Sequence, residues 1–163
     1  MIEPIVTIDQ ARHLAAESGR PVVWADVRWY LDGRSGRAAY ETGHLPGAVF
    51  VDIDHDLAAH GRPATEGRHP FPTPEAFADS LGRLGIGDND IVIASDDTGG
   101  MTAGRLVWML RIIGQDAALL DGGMDAFDGE LETGSGTPRP PAHHRIVAWP
   151  EDRLVDADAA ARI

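Results

Sequence analysis

Short apolar runs alternate along this chain with stretches of helical spacing, and this alternation restricts the possible folds more than any other feature. The runs of strand length lie at residues 5–7, 22–27, 48–51, 91–94 and 117–120. The helical stretches lie at residues 8–17, 74–84 and 102–113. Strands that alternate with helices form a mostly parallel sheet whose two faces are covered by the helices. We therefore expect an α/β fold with a mostly parallel five-stranded sheet and helices on both faces.

Composition excludes several classes of function. The chain has 26 acidic and 14 basic residues, and its net charge of −12 opposes binding to nucleic-acid phosphates or to an anionic membrane surface. It has no cysteine, which excludes disulfides, thiolate zinc sites and a cysteine nucleophile. All 14 basic residues are arginines, so no lysine is available for a phosphate loop or a Schiff base. No secretory leader and no apolar run of about 18 residues is present, which predicts a cytoplasmic protein.

The segment 95–110, SDDTGGMTAGRLVWML, has the pattern of a strand end, a glycine loop and a helix start. Backbone N–H groups converge on an anion in such loops, and ligands of parallel sheets bind at the carboxyl ends of strands. The loop nevertheless contains no cysteine, histidine or lysine. Arg105 opens the following helix and could reach an anion, although an ion pair inside the fold is the more common role for such an arginine.

The acidic run 52–57, DIDHDL, permits more than one interpretation. A calcium loop needs glycine at its sixth position and glutamate at its twelfth, and these positions hold Leu57 and Pro63. A magnesium phosphohydrolase could use Asp52 and Asp54, but such sites usually contain a lysine as well. The simpler interpretation is a turn at a strand end in which an aspartate caps a short helix.

The C-terminal part of the chain changes in composition. Residues 133–141, TGSGTPRPP, are rich in glycine and proline and indicate a linker. We expect a domain over residues 1–133, a linker over 134–146, and the first strand and helix of a second, truncated unit over 147–163. His143 and His144 fall in this linker, where a solvated pair is expected. His44 precedes a strand and is expected to bond to backbone.

Four segments together resemble the rhodanese family: 26-DVR-28, 40-YETGHLPGAVFVDID-54, 97-DTGGMTA-103 and 119-LLDGG-123. More closely, the chain is similar to the first domain of two-domain thiosulfate or 3-mercaptopyruvate sulfurtransferases. In the active repeat of that family the loop begins with cysteine, in the pattern C-G-S-G-V-T-A, and Asp97 takes the place of that cysteine here. The resemblance implies that this chain is inactive by itself, because only a thiolate accepts and passes on the sulfur.

The resemblance also implies partners and further site residues. The implied partners are a second, cysteine-bearing rhodanese repeat, in the same or another chain, and a small sulfur donor in the cleft between the repeats, without cofactor or metal. Asp54 and His69 correspond to cleft residues of the mercaptopyruvate branch, where Met101 replaces an aromatic residue. We further expect Asp97 to accept at least two N–H bonds from its own loop, whose residues are Asp97, Thr98, Gly99, Gly100, Met101 and Thr102.

Two other functions stay open at this point. The chain could be a standalone, non-catalytic rhodanese-like module that binds partners or regulates them. It could also be the magnesium phosphohydrolase based on Asp52 and Asp54. A repeat that docks on a second repeat needs an exposed apolar patch, whereas a standalone module does not.

Overall fold

A five-stranded sheet forms the centre of the structure, a computed structural model that describes residues 1–155 and 157–162. The strands are β1 (Ile5–Val6), β2 (Val22–Asp26), β3 (Val49–Phe50), β4 (Ile91–Ser95) and β5 (Ala117–Leu120). They are all parallel and lie in the order β1-β5-β4-β2-β3. The predicted α/β fold and its five strands are confirmed.

Helices connect these strands. They are α1 (Ile8–Glu17), α2 (Gly36–Thr42), α3 (Ile53–Asp56), α4 (Pro74–Arg83), α5 (Ala103–Ile112) and α6 (Ala157–Ala160), with single 3₁₀ turns at Ala64–Glu66, Gly123–Ala126 and Glu151–Arg153. The three long helices match their predicted positions. No helix was predicted at α2, because seven residues that bury only Tyr40 give no helical periodicity. Its sequence signal is Ser35, whose side chain accepts a hydrogen bond from Ala38 N and caps the helix.

Two apolar layers cover the sheet, one on each face. Successive residues of β4 point to opposite faces, so that Val92 joins one layer and Ile93 the other. The first layer contains buried residues of α3, α4 and α5, and the second contains buried residues of α1 and α2. Because the strands are all parallel, the carboxyl ends of β2, β3, β4 and β5 lie along one edge of the sheet, called the carboxyl edge below.

The segment predicted as a linker, together with the residues after it, lies against the domain. Arg139 Nε donates to Gly85 O at 3.0 Å, Ala142 N donates to Gly82 O at 2.9 Å, and Trp149 Nε1 donates to Pro72 O at 2.8 Å. Trp149 also packs against Phe71 and Phe77, with ring centroids 5.3 and 5.2 Å away. These contacts fix the path of residues 139–149 although they form no helix or strand.

The expectation of a solvated histidine pair is wrong for His144. His143 is exposed, but His144 is only 7% exposed and its Nε2 lies 2.7 Å from Gln115 Oε1. Gln115 donates its amide hydrogens to Gly87 O and Asp90 O, so its carbonyl oxygen is left to face the imidazole. Burial lowers the pKa of His144.

The strand predicted after residue 147 is not present among residues 147–155 and 157–162. This stretch contains a 3₁₀ turn, Glu151–Arg153, in place of the strand, followed by the short helix α6, and Val147 packs on the first apolar layer. In the part of the chain that the structure describes, no helix has the length and apolar character needed to span a membrane.

Candidate functional site at the carboxyl edge

The loop between β4 and α5 is folded around the carboxylate of Asp96. Its Oδ1 accepts from Thr98 N at 2.9 Å and from Gly100 N at 2.8 Å. Its Oδ2 accepts from Thr102 N, Thr102 Oγ1 and Ala103 N, each at 2.8 Å. Gly99 and Gly100 have φ values of +74° and +84°, which permit the tight turn that brings these donors together. The predicted convergence of N–H groups is therefore present, and an aspartate of the chain itself fills it.

The expectation that Asp97 is this aspartate is wrong. Asp97 is exposed, and its Oδ2 accepts a 2.6 Å hydrogen bond from the Tyr30 hydroxyl. The hydrogen bonds place the Asp96 side chain on the buried side of the loop, whereas the Asp97 side chain lies on the exposed side. The sequence shows two adjacent aspartates and does not indicate which of them faces the N–H groups.

The surroundings of Asp96 favour its ionised form. Burial by itself would raise the pKa of this carboxyl, but the hydrogen bonds from Ala103, Gly100, Thr98 and Thr102 outweigh it and hold the pKa below the usual value. Burial also acts on Tyr30 and, with the bond to Asp97, raises the pKa of that phenol to about 12. The loop thus has an ionised carboxylate, Asp96, on its buried side and a second carboxylate, Asp97, on its exposed side.

The LLDGG segment packs directly under this loop. Gly123 has φ +57°, and a Cβ at this position would lie 2.6 Å from Asp96 O. The loop and this segment enclose a cavity of about 400 Å³ whose lining carboxylates are Asp96, Asp97, Asp121 and Asp125. In the part of the chain that the structure describes, four carboxylates and no arginine line it, so this cavity disfavours an anionic ligand.

A second group of candidate side chains lies near the ends of β2 and β3. His69 Nε2 is 2.8 Å from Asp54 Oδ1, and Trp29 Nε1 donates to Asp54 Oδ2 at 2.8 Å. The indole and the imidazole meet edge to face with centroids 5.1 Å apart. Burial tends to raise the pKa of Asp54, but the bonds from Trp29 and His69 lower it overall. The structure therefore brings together Asp54 and His69, the two residues chosen from the sequence.

Arg105 supports this group from below. Its Nη2 donates to Leu57 O at 2.7 Å and to His69 O at 2.9 Å, and its guanidinium lies 5.0 Å from the Phe71 ring centroid. Burial lowers the pKa of Arg105. Within the described residues it forms no ion pair, so the expected ion pair is wrong. Arg105 instead fixes the backbone that carries His69.

The acidic run after β3 forms the turn predicted by the simplest interpretation, in which an aspartate caps a short helix. Asp52 accepts from Asp54 N at 2.9 Å and from His55 N at 3.4 Å, and so caps α3. Among residues 1–155 and 157–162, no three histidine or acidic side chains are grouped so that they could hold a metal ion. His44 also has its predicted role, because its Nδ1 lies 2.8 Å from Tyr40 O while the ring stacks on Tyr40.

Comparison with known proteins places this arrangement in a family. A profile of the rhodanese-like domain matches residues 8–130. The chain belongs to the rhodanese-like domain family. The domain is 39% identical over 127 residues to a putative thiosulfate sulfurtransferase of Mycobacterium tuberculosis, covering 76% of this chain and 44% of the relative. It is 36% identical over 137 residues to a probable 3-mercaptopyruvate sulfurtransferase of Pseudomonas aeruginosa, covering 80% of this chain and 48% of the relative.

A solved structure agrees with this rhodanese-like fold. The crystal structure of the 3-mercaptopyruvate sulfotransferase SseA from Escherichia coli superposes with a TM-score of 0.82 at 27% identity, covering 99% of this chain and 61% of that one. The rhodanese-like domain spans about half the length of the curated relatives it matches. It is therefore homologous to sulfurtransferases, yet it has no cysteine.

Sequence reasoning missed two residues of this rhodanese-like site. Trp29 holds Asp54, and Tyr30 holds Asp97. A signal for them was available, since this aromatic pair directly follows the strand that ends in the DVR segment. Large aromatic side chains beyond the carboxyl end of a parallel strand are well placed to line a ligand site.

Proposed function

We propose that this chain is the non-catalytic repeat of a two-domain sulfurtransferase that uses thiosulfate or 3-mercaptopyruvate as sulfur donor. It would be inactive alone and would form one wall of the active-site cleft. The observation that carries the proposal is the loop after β4, where Asp97 takes the place of the family's cysteine and Asp96 engages the loop N–H groups.

The chemistry explains why a second repeat is needed. A thiolate attacks the transferable sulfur of the donor, forms a persulfide bond, and releases sulfite from thiosulfate or pyruvate, after proton uptake, from 3-mercaptopyruvate. An acceptor such as cyanide or a thiol then removes that sulfur and regenerates the thiolate. A carboxylate at position 97 cannot form or break these bonds, so the thiolate must come from elsewhere.

The carboxyl edge of this chain supplies the groups that a cleft wall needs. Asp54 orients the imidazole of His69, and a neutral ring that donates Nε2–H to Asp54 keeps Nδ1 as a proton acceptor. The apolar side chains of Leu31 and Met101 are 75% and 70% exposed at the same edge. Exposed apolar side chains beside polar groups are typical of a surface that a partner covers, and they support docking of a second repeat here.

The test is sulfurtransferase activity with and without a cysteine-bearing repeat, supplied by fusion or in trans. We expect no turnover of thiosulfate or 3-mercaptopyruvate by this chain alone and turnover by the joined protein. Asp54→Asn and His69→Gln should reduce turnover in the joined protein. Two exposed residues outside the edge provide matched controls, Asp79→Asn on α4 and His13→Gln on α1. Equal activity of the four variants would contradict the proposed role of the Asp54–His69 pair.

A further inference from the structure

A second cavity at the carboxyl edge is lined mainly by cationic and aromatic side chains. It has a volume of about 390 Å³, borders Asp54, and lies beside the ends of β2 and β3. Its lining arginines are Arg28, Arg34, Arg37 and Arg68. Among the described residues, two carboxylates line it, Asp52 and Asp54. Asp26 and Asp32 neutralise Arg28 and Arg34, so the cations of this cavity that could receive an anion are Arg37 and Arg68.

Two of these arginines have no polar partner. Arg37 lies over the Phe50 ring at 4.4 Å from its centroid, and Arg68 lies over the Trp29 ring at 5.5 Å. Within residues 1–155 and 157–162 neither guanidinium forms a hydrogen bond or an ion pair. Stacking on a ring uses the face of a guanidinium and leaves the N–H groups at its edge free to donate.

The other charges of the cavity are already engaged. Arg28 is buried and bonded to Asp26 and Gly43 O, and Arg34 is paired with Asp32. Asp54 is held by Trp29 and His69. Asp52 accepts hydrogen bonds from the backbone and ring of His55. Neither lining carboxylate contacts Arg37 or Arg68, so these two cations remain available.

We propose that this arginine cavity binds a small oxyanion, either a carboxylate or a sulfur oxyanion, through Arg37 and Arg68. The inference rests on the proposed function for the identity of that anion, which would be the charged group of the sulfur donor on its way to the cleft. The acidic cavity under the loop after β4 repels such a group, whereas the arginine cavity attracts it and lies against the Asp54–His69 pair. On the proposed function, this domain would capture the anion and the cysteine-bearing repeat would transfer the sulfur.

The test uses the chain itself and two probes, thiosulfate and pyruvate, at constant ionic strength. The indole N–H of Trp29 lies in the cavity wall and reports binding by ¹⁵N NMR, with its resonance assigned through Trp29→Phe. We expect a saturable shift with thiosulfate, pyruvate or both, and the responding probe identifies the group that the cavity prefers. Arg37→Gln and Arg68→Gln should each weaken binding by about tenfold or more, since each removes charge-assisted hydrogen bonds.

Arg62→Gln is the matched control, because this substitution removes the same charge as Arg68→Gln. Arg62 lies in the same loop as Arg68 but is paired with Glu66 outside the cavity. The control should bind the probe as the unmodified chain does. The proposal is overturned if neither probe gives a saturable shift, if the double variant Arg37→Gln/Arg68→Gln binds unchanged, or if Arg62→Gln loses binding equally. The remaining resonances of each spectrum show whether a variant is folded. Binding by the isolated chain is measured without turnover, so its outcome is separate from that of the sulfurtransferase assay.

Discussion

Replacement of Asp96 by asparagine removes the anion around which the loop after β4 is folded. The carboxylate accepts five hydrogen bonds, two at Oδ1 and three at Oδ2. An asparagine keeps one carbonyl oxygen and places an NH₂ group, which is a donor, against the remaining donors. In either rotamer at least two N–H groups lose their acceptor.

The cost follows from those lost bonds. Asp96 is only 3% exposed, and each buried donor left without a partner costs about 1–3 kcal/mol. Two such donors give roughly 2–6 kcal/mol, a large share of the ~5–15 kcal/mol stability of a typical domain. At about 2–4 °C per kcal/mol for a chain of this size, the midpoint of thermal unfolding should fall by roughly 10 °C.

Urea unfolding followed by circular dichroism measures this cost, and the adjacent carboxylate supplies the control. Asp97→Asn alters an exposed group whose one hydrogen bond within residues 1–155 and 157–162 comes from the Tyr30 hydroxyl, so its effect should stay below about 1.5 kcal/mol. The reasoning is refuted if Asp97→Asn destabilises the chain as much as Asp96→Asn does, or if neither has a measurable effect.

The same variant should show a defined pH dependence. The hydrogen bonds from the loop hold the folded pKa of Asp96 below its ordinary value, so its ionisation contributes stability that is complete above the unfolded pKa. That contribution is lost as the pH falls through the folded pKa. The difference in unfolding free energy between the unmodified chain and Asp96→Asn should therefore be constant near neutral pH and shrink below about pH 4.

Two further substitutions test other parts of the structure by urea unfolding. Gly123→Ala should lower the free energy of unfolding by more than ~2 kcal/mol, because its Cβ would lie 2.6 Å from Asp96 O. Gly99 also has a positive φ, but a Cβ there would have no atom within 4 Å, so Gly99→Ala should cost only the ~1–2 kcal/mol of backbone strain. Equal costs for the two variants would contradict the close approach at Gly123. Trp149→Ala should cost about 2–3 kcal/mol, less than a fully buried tryptophan, if residues 139–149 unfold with the domain. Ile146 on the same segment is 61% exposed, so Ile146→Ala should change the free energy of unfolding by less than ~0.5 kcal/mol. An equally small effect of Trp149→Ala would show that the segment is not part of the folding unit.

The strands and long helices were predictable because each carries a signal of its own. The apolar runs have strand length, and Thr73-Pro74-Glu75 places the start of α4 through a capping residue and a proline. Helix α2 gave no such periodicity, and residues 139–149 gave a composition typical of linkers. Their positions depend on contacts with distant residues, such as Gly82 and Gln115, which no local pattern reveals.

The candidate site was predictable in its position and only partly in its bonding. Asp54 and His69 were chosen through family resemblance, and the structure places them 2.8 Å apart. Whether Asp96 or Asp97 accepts the loop N–H bonds depends on the side of the loop to which each side chain points. Two adjacent aspartates in a sequence do not reveal this direction. The free guanidiniums of Arg37 and Arg68 are also invisible in sequence, because they are defined by the absence of partners in three dimensions.

Sulfur transfer by the lone and the joined protein tests the central claim most directly. The rate of thiocyanate formation from thiosulfate and cyanide would be measured for this chain, for a cysteine-bearing second repeat, and for the two joined, with 3-mercaptopyruvate and a thiol acceptor as a parallel assay. We predict no rate above the reagent blank for this chain alone and the highest rate for the joined protein. Turnover by the cysteine-free chain, or a second repeat equally active with and without this chain, would contradict the account.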